Sequence, residues 1–312
     1  GIKMGEPYFK IRGKLNRNKV VVRSSNYGLY GDISQRMMSL LKRSCFNIEI
    51  YSIDEAFATI IISNNNDLMR WAHSLRELIH QNLGITIAIG IGSNKLHAKL
   101  ANHIAKRVSS NAGIFYLDTD GNPDIWMKEI EIENVWGVGE SLSKWLKQKG
   151  IKTALDLKYM STNELKAKYG IAGEKLQLEI KGKKCYPIVD RLPPKKETTV
   201  SRSFGKPIRD IKDLKQVISN HVVCAAEKLR AQEQRAESLT VFFRTSLFKD
   251  DFHSKVATIK LNIASNDTGQ LIQAAIKLTN QIFTPNKELT KAGIIMRNLQ
   301  ETKYLQLNIL DK

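Results

Sequence analysis

The sequence predicts a multidomain α+β protein, and three observations carry that reading. Residues 23–117 mix strand-sized apolar runs with helical spacing, residues 118–185 show helical spacing with many lysines, and residues 198–300 read β-α-β-β-α-β. Pro187 and the run Arg191-Leu192-Pro193-Pro194-Lys195-Lys196 mark a linker at 186–197, because proline resists both helix interiors and central strands. A chain of 312 residues is long enough for more than one core.

The elements follow in order. Residues 1–22 are basic and irregular. Leu29, Ile33, Met37, Leu40 and Leu41 recur at helical spacing over 29–41. Residues 47–51 and 56–62 are β-rich runs flanking Asp54-Glu55. Asp67 is placed to cap a helix carrying Leu68, Trp71, Leu75, Leu78 and Ile79. Ile85–Ile91 has the composition of a buried strand, Ser93 or Asn94 caps a helix running to Lys106, and Gly113–Leu117 is a last strand. Together these predict one mixed sheet with helices packed on it. After the linker, strands are expected near 198–204, 238–245, 255–263 and 291–298, with helices at 211–232 and 268–282.

Composition narrows the function. Lys+Arg 49 against Asp+Glu 31 gives a net charge of +18, which favours a polyanionic partner, most often nucleic acid. The basic residues are spread along the chain, whereas a membrane-surface protein concentrates them in one amphipathic helix. No apolar run approaches the roughly 20 residues that span a bilayer, and no signal peptide is expected. Cys45, Cys185 and Cys224 lie far apart without metal-site spacing, as reduced thiols of a cytoplasmic protein would. Gly1 is not a natural start, so a clipped N-terminus is expected.

Three segments carry chemistry. Tyr51-Ser52-Ile53-Asp54-Glu55-Ala56-Phe57 puts two acids at the tip of an expected hairpin, where both can reach one hard cation such as Mg²⁺ together with substrate phosphates. The bare pair is a weak signal, since roughly three adjacent acidic pairs arise by chance in a chain this acidic; Asp250-Asp251 reads as a solvated turn. Gly90-Ile91-Gly92-Ser93-Asn94-Lys95 leads from a strand into a lysine-rich helix, and helix N-termini and lysines both attract phosphate. The alternative there is a surface helix with solvated lysines. Val135-Trp136-Gly137-Val138-Gly139 before a helix at Ser141–Lys149 is a tight G-x-G turn whose backbone N–H groups can meet a DNA phosphate, flanked by Lys144, Lys147, Lys149 and Lys152. An ordinary helix–helix turn is the alternative.

Taken together and in this order, the segments resemble the Y-family (translesion) DNA polymerases. Tyr51–Phe57 is similar to their palm signature, Gly90–Lys106 to the palm strand and helix that follow, Val135–Leu157 to the helix-hairpin-helix of the thumb, and Ser201-Arg202-Ser203-Phe204-Gly205 to the opening strand of the little finger. Gly1–Phe9 and Ser24-Ser25-Asn26-Tyr27 resemble the UmuC-like branch, the type of the DNA polymerase V catalytic subunit. The resemblance implies a right-hand polymerase: a fingers remnant at 1–22, palm at 23–117, thumb at 118–185, linker at 186–197, little finger at 198–300 and tail at 301–312. It implies that Asp54 and Glu55 bind Mg²⁺, that Lys106 contacts the incoming deoxynucleoside triphosphate, and that Gly137, Gly139 and Lys144 touch primer–template DNA. The reaction would be error-prone translesion DNA synthesis in the SOS response to DNA damage, with the UmuD′ dimer and the RecA filament as partners.

The chain departs from the family pattern at its start, which lies after the strand bearing the third metal-binding aspartate. With two carboxylates in place of three, this chain alone is expected to polymerise poorly or not at all. In the tail, Gln306-Leu307-Asn308-Ile309-Leu310 resembles the bacterial sliding-clamp peptide, with Gln306 as anchor and Leu307, Ile309 and Leu310 as apolar contacts. Two rival readings remain: a catalytically inactive DNA- and clamp-binding remnant, and a helix-hairpin-helix glycosylase or nuclease.

Overall fold

The computed structural model describes residue 2 and residues 5–62, 64–108, 113–117, 122–190, 194–248 and 250–302. The chain divides into two units, Gly1–Leu192 and Pro193–Lys312.

The first unit runs α1 (Tyr8–Arg17), α2 (Tyr27–Ser44), β1 (Asn47–Ile50), β2 (Ala56–Thr59), α3 (Asn65–Leu83), β3 (Ile89–Ile91), α4 (Lys95–Arg107), β4 (Ile114–Tyr116), α5 (Asp124–Lys128), α6 (Glu140–Gln148), α7 (Ala154–Tyr159) and α8 (Thr162–Ile180). Met37, Met38, Ile48, Leu75 and Ile79 join α2, α3 and β1 in one apolar cluster. A larger cluster carries Leu96, Leu100 and Ile104 of α4 into Met127, Leu146, Leu157, Leu165 and Ile180 of α5–α8. Among the described residues no helix is long and apolar enough to cross a membrane.

The expected single mixed sheet is instead two separate pairs, β1–β2 antiparallel and β3–β4 parallel. Residues 85–88 lie outside β3, and side chains meet two of their carbonyls. Arg76 Nε donates to the Ile87 carbonyl at 3.0 Å and Asn102 Nδ2 to the Ala88 carbonyl at 2.7 Å, taking acceptors that a neighbouring strand would use. The α3 cap is also corrected. Asn64, not Asp67, is the capping residue; its Oδ1 accepts from the Asp67 N–H at 2.8 Å, and Asp67 falls in the first turn.

Helix α4 is seated by packing rather than left on the surface. A Cβ on Gly90 would lie 2.1 Å from the Asn102 N, and one on Gly92 would lie 2.6 Å from the His97 Cβ. The two glycines therefore let β3 press against α4. The helix N-terminus does attract an anion, but an internal one. The buried Glu179 carboxylate, at the end of α8, accepts from Leu96 N–H at 3.2 Å and from Cys185 and Tyr186 N–H at 3.1 Å each. Asn94, the cap of α4, donates onward to the Glu179 carbonyl at 2.7 Å, and His97 bridges Ser93 Oγ and the Ile180 carbonyl at 3.0 Å each.

The second unit runs β5 (Glu197–Ile208), α9 (Ile211–Ala231), β6 (Gln234–Arg244), β7 (Ser254–Ser265), α10 (Thr268–Ile282) and β8 (Leu289–Glu301), in an antiparallel sheet of order β5-β8-β6-β7. Leu214, Ile218 and Val222 of α9 and Leu271, Ala275 and Leu278 of α10 bury one sheet face against Leu239, Val241, Phe243, Ile294 and Met296. Among the described residues of this unit, no helix lies on the opposite face.

Two stability outcomes follow from the seat of α4. Gly90→Ala is expected to cost about 3 kcal/mol or more, because the intruding methyl meets backbone that cannot move aside. Glu179→Ala leaves the buried Leu96 N–H and the part-buried Cys185 and Tyr186 N–H groups without this acceptor and is expected to cost about 2–3 kcal/mol. Urea unfolding of each variant against the parent checks both; a midpoint unchanged in either would refute the corresponding packing account.

Candidate active site

The residues Asp54 and Glu55 sit in the tight connection between β1 and β2. The Tyr51 and Ser52 N–H groups both donate to the Glu55 carbonyl at 3.0 Å, which closes the connection. Ser52 Oγ donates to Asp54 Oδ1 at 2.6 Å and leaves the other oxygen of this exposed carboxylate open. Glu55 accepts from Lys99 Nζ at 2.7 Å. Among the described residues no group of three or more His, Cys, Asp or Glu side chains is arranged to hold a metal ion. The donors are hard oxygens, which suits Mg²⁺, and two carboxylates match a cation that completes its shell with water and substrate phosphates.

Three lysines of α4 form a stripe at i, i+4 and i+11. Lys95 is buried and pairs with Glu49 at 2.6 Å; Glu49 also accepts from the Val189 N–H at 2.8 Å. Lys99 pairs with Glu55. Lys106, roughly 10 Å further along the helix axis than Lys99, has no carboxylate partner among the described residues. It lines an open recess of about 500 Å³ with Arg76 and Arg107. His103 adds no charge there at neutral pH, since burial and then the Arg107 and Lys106 cations push its imidazole below the usual histidine range. Lys95 is thus committed to a buried carboxylate and Lys99 to the partly exposed Glu55, and Lys106 is left to meet an outside anion.

The G-x-G turn lies beside the acidic hairpin. Gly137 has φ +92, a conformation glycine adopts at little cost, and Gly139 caps α6 with open space where a Cβ would project. The flanking cations are paired on the surface: Lys144 with Glu140 at 2.7 Å, Lys147 with Glu133 at 2.8 Å and Lys149 with Glu164 at 2.8 Å. Such exposed pairs contribute about 0–1 kcal/mol each and can be exchanged for phosphate contacts. Trp136, just before the turn, meets Tyr51 and Phe57 edge to face, with ring centroids 5.9 and 5.6 Å apart. Residues 51, 54, 55, 99 and 136 are therefore assembled in one place from segments far apart in sequence. Residues 303–312, with Gln306, Leu307, Ile309 and Leu310, lie outside the described residues.

The open sheet face of the second unit is a further candidate that the motif reading missed. Strand register stacks four rows across it: Ser203–Lys291–Arg244–Ser254, Ser201–Gly293–Phe242–Val256, Thr199–Ile295–Thr240–Thr258 and Glu197–Arg297–Ser238–Lys260. Cations stand at both ends, about 20 Å apart, and between them hydroxyls of Thr199, Ser201 and Thr258 alternate with the apolar Phe242, Val256 and Ile295. A Cβ on Gly293 would lie 2.4 Å from Ser201 Cβ and 2.6 Å from the Phe242 ring, so glycine keeps the middle of the face flat. The period-two run of Glu197, Thr199, Ser201 and Ser203 along β5 is the signal that could have found it, although Phe242, Val256 and Ile295 interrupt the pattern on the other strands.

Comparison with known proteins fits this geometry. The impB/mucB/samB family matches residues 1–103, and the C-terminal domain of that family matches residues 195–309. Protein UmuC of Salmonella typhimurium (strain LT2) is 35% identical over 315 residues, covering 100% of this chain and 75% of that protein. Protein MucB of Escherichia coli is 34% identical, covering 100% of this chain and 74% of its own length. Among solved structures, the Y-family DNA polymerase chimera Dbh-Dpo4(243-245)-Dbh matches with a TM-score of 0.77 at 20% identity, over 96% of this chain and 84% of that one. The chain belongs to the impB/mucB/samB family, with the proteins UmuC and MucB among its relatives.

Proposed function

We propose that the protein carries out template-directed nucleotidyl transfer as an error-prone translesion DNA polymerase. The observation that carries this reading is the division of labour along α4. Lys99 steadies the hairpin that displays Asp54 and Glu55, while the unpaired Lys106 faces outward on the same stripe. In this reading residues 23–117 are the palm and residues 118–185 the thumb, the latter presenting Gly137, Gly139 and Lys144 to a DNA backbone. Residues 198–300 are the little finger, whose open sheet face lies along DNA through Lys260, Lys291, Arg244 and Arg297. Backbone contacts of this kind position the duplex without reading its sequence, as copying any template requires.

Asp54 and Glu55 would hold Mg²⁺. When bound, the metal makes the primer 3′-hydroxyl a better nucleophile and offsets charge on the departing pyrophosphate. Lys106 would meet the triphosphate of the incoming nucleotide as a point charge. In the full-length natural polypeptide, Asp54→Ala is expected to abolish primer extension while primer–template affinity stays within about twofold, because affinity comes from basic surfaces. The same titration should show affinity falling steeply as salt rises. Extension by the variant at the parental rate would remove Asp54 from the chemistry.

The further partners on this reading are the sliding clamp, the UmuD′ dimer and the RecA filament. The tail segment Gln306–Leu310 would dock on the clamp and raise the local concentration of a distributive enzyme at the primer end. Replacing Gln306, Ile309 and Leu310 together with Ala is expected to abolish clamp binding at an unchanged melting temperature. Clamp binding that survives the triple substitution would rule the tail out as the tether.

A further inference from the structure

Trp136 joins two loops whose contacting residues, Trp136 and Tyr51, are 85 positions apart in the sequence. Its indole Nε1–H donates to the Tyr51 hydroxyl at 3.2 Å, and its ring packs edge to face on both Tyr51 and Phe57, which themselves lie 5.4 Å apart. Tyr51 and Phe57 bracket the segment that carries Asp54 and Glu55. The Tyr51 N–H closes that segment onto the Glu55 carbonyl, and Lys99 lies 5.7 Å from the Tyr51 ring while it bonds Glu55. On the other side, Trp136 is covalently next to Gly137. Val135 and Val138 are buried, which anchors the turn on both sides of the indole's neighbour Gly137. The Trp136 ring also meets Tyr186, 6.3 Å away, in the chain that leaves α8.

We propose that Trp136 is a positioning residue, transmitting the state of the Gly137–Gly139 turn to the setting of the Asp54 and Glu55 carboxylates. When a nucleic-acid backbone phosphate engages the turn, the indole holds Tyr51 and, through it, the acidic hairpin in one arrangement. The geometry favours a coupling over simple space filling. Edge-to-face rings and a hydrogen bond depend on orientation, and Trp136 is only half-buried. This inference rests on the polymerase reading, since it gives the turn a DNA phosphate as its ligand.

The test is hydrogen exchange of the 51–57 amides, with and without primer–template DNA, in the full chain at low salt. In the parent, DNA is expected to slow exchange of this segment by roughly tenfold, the mark of a local opening made rarer. Trp136→Ala should bind DNA with an affinity within about threefold of the parent, because its contribution to backbone binding is small, yet lose the DNA-dependent slowing. Trp136→Phe and Tyr51→Phe keep the rings and remove one side each of the hydrogen bond. Each should lose part of the slowing, and the double variant no more than either single one. In the full-length polypeptide, Trp136→Ala should raise the Mg²⁺ concentration for half-maximal extension while leaving the KM for DNA unchanged. DNA-dependent slowing that persists in Trp136→Ala, or its absence in a parent that binds DNA, would overturn the coupling alone. A parent that binds no DNA at low salt would overturn the polymerase reading and the coupling with it. Should Trp136→Ala fail to fold, the two phenylalanine variants decide the matter by the same criterion.

Discussion

The first unit depends on one buried anion. Glu179 arrives at the end of α8, more than 80 residues after the N-terminus of α4, and its carboxylate takes the Leu96, Cys185 and Tyr186 N–H groups. A buried carboxylate is tolerable only when its oxygens are satisfied, and here three backbone donors and the end of a helix dipole do so. The consequence is positional. The start of α4 fixes Lys95 against Glu49 and Lys99 against Glu55, and Lys99 in turn fixes the acidic hairpin. The last segment of the unit is tied down by the same means, since Glu49 accepts from Val189 and the Asp190 carboxylate from the Ile48 N–H at 3.3 Å. The site is thus built on a helix whose two ends serve different purposes: one held internally, the other open.

The net charge of +18 is divided in a way that total composition hides. Lys95 is withdrawn from the surface altogether, and the lysines of α6 rest against glutamates on exposed surface. Such pairs are weak in water and exchangeable, so they keep cations ordered without competing seriously with a phosphate backbone. On the open face of the second unit, cations are spaced by strand register at the two ends, with hydroxyls and apolar side chains between. A sheet does this readily because alternate residues share a face.

Much of the fold was legible in the sequence because the periodicities are strong and local. The second unit follows its expected β-α-β-β-α-β order, and α10 occupies the expected residues 268–282. The acidic pair at a hairpin tip and the helix running from Asn94 were legible for the same reason: flanking β-rich runs and a capping side chain are short-range signals. What could not be read was long-range. The contacts at 85–88 depend on Arg76 and Asn102 reaching carbonyls from neighbouring helices. The cap of α3 shifted to Asn64 because two good capping residues stand three apart and only geometry selects between them. The Trp136–Tyr51 contact and the Glu179 seat involve residues whose local contexts are unremarkable, and nothing in either segment announces the other.

The two G-x-G segments make the limit concrete. Gly90-Ile91-Gly92 and Val138 between Gly137 and Gly139 present the same pattern, and both precede a helix with lysines, so the same anion-binding argument applies to each from sequence alone. Their structural roles are opposite. At 90 and 92 the missing Cβ atoms are filled by the backbone of α4, and the helix end beyond is already neutralised by Glu179. At 139 nothing approaches the missing Cβ, and the helix that starts there has no internal carboxylate from a distant segment at its first N–H groups among the described contacts. The distinguishing feature is the surrounding burial. Helix α4 buries Lys95, Leu96, His97, Leu100, Ala101, Ile104 and Ala105, whereas α6 buries only Leu142, Ser143 and Leu146 and leaves Glu140 and Ser141 exposed. A glycine pair therefore becomes a packing device or a displayed backbone according to the apolar area of the helix that follows it, because burying that area drives close approach and an exposed helix start has no such drive.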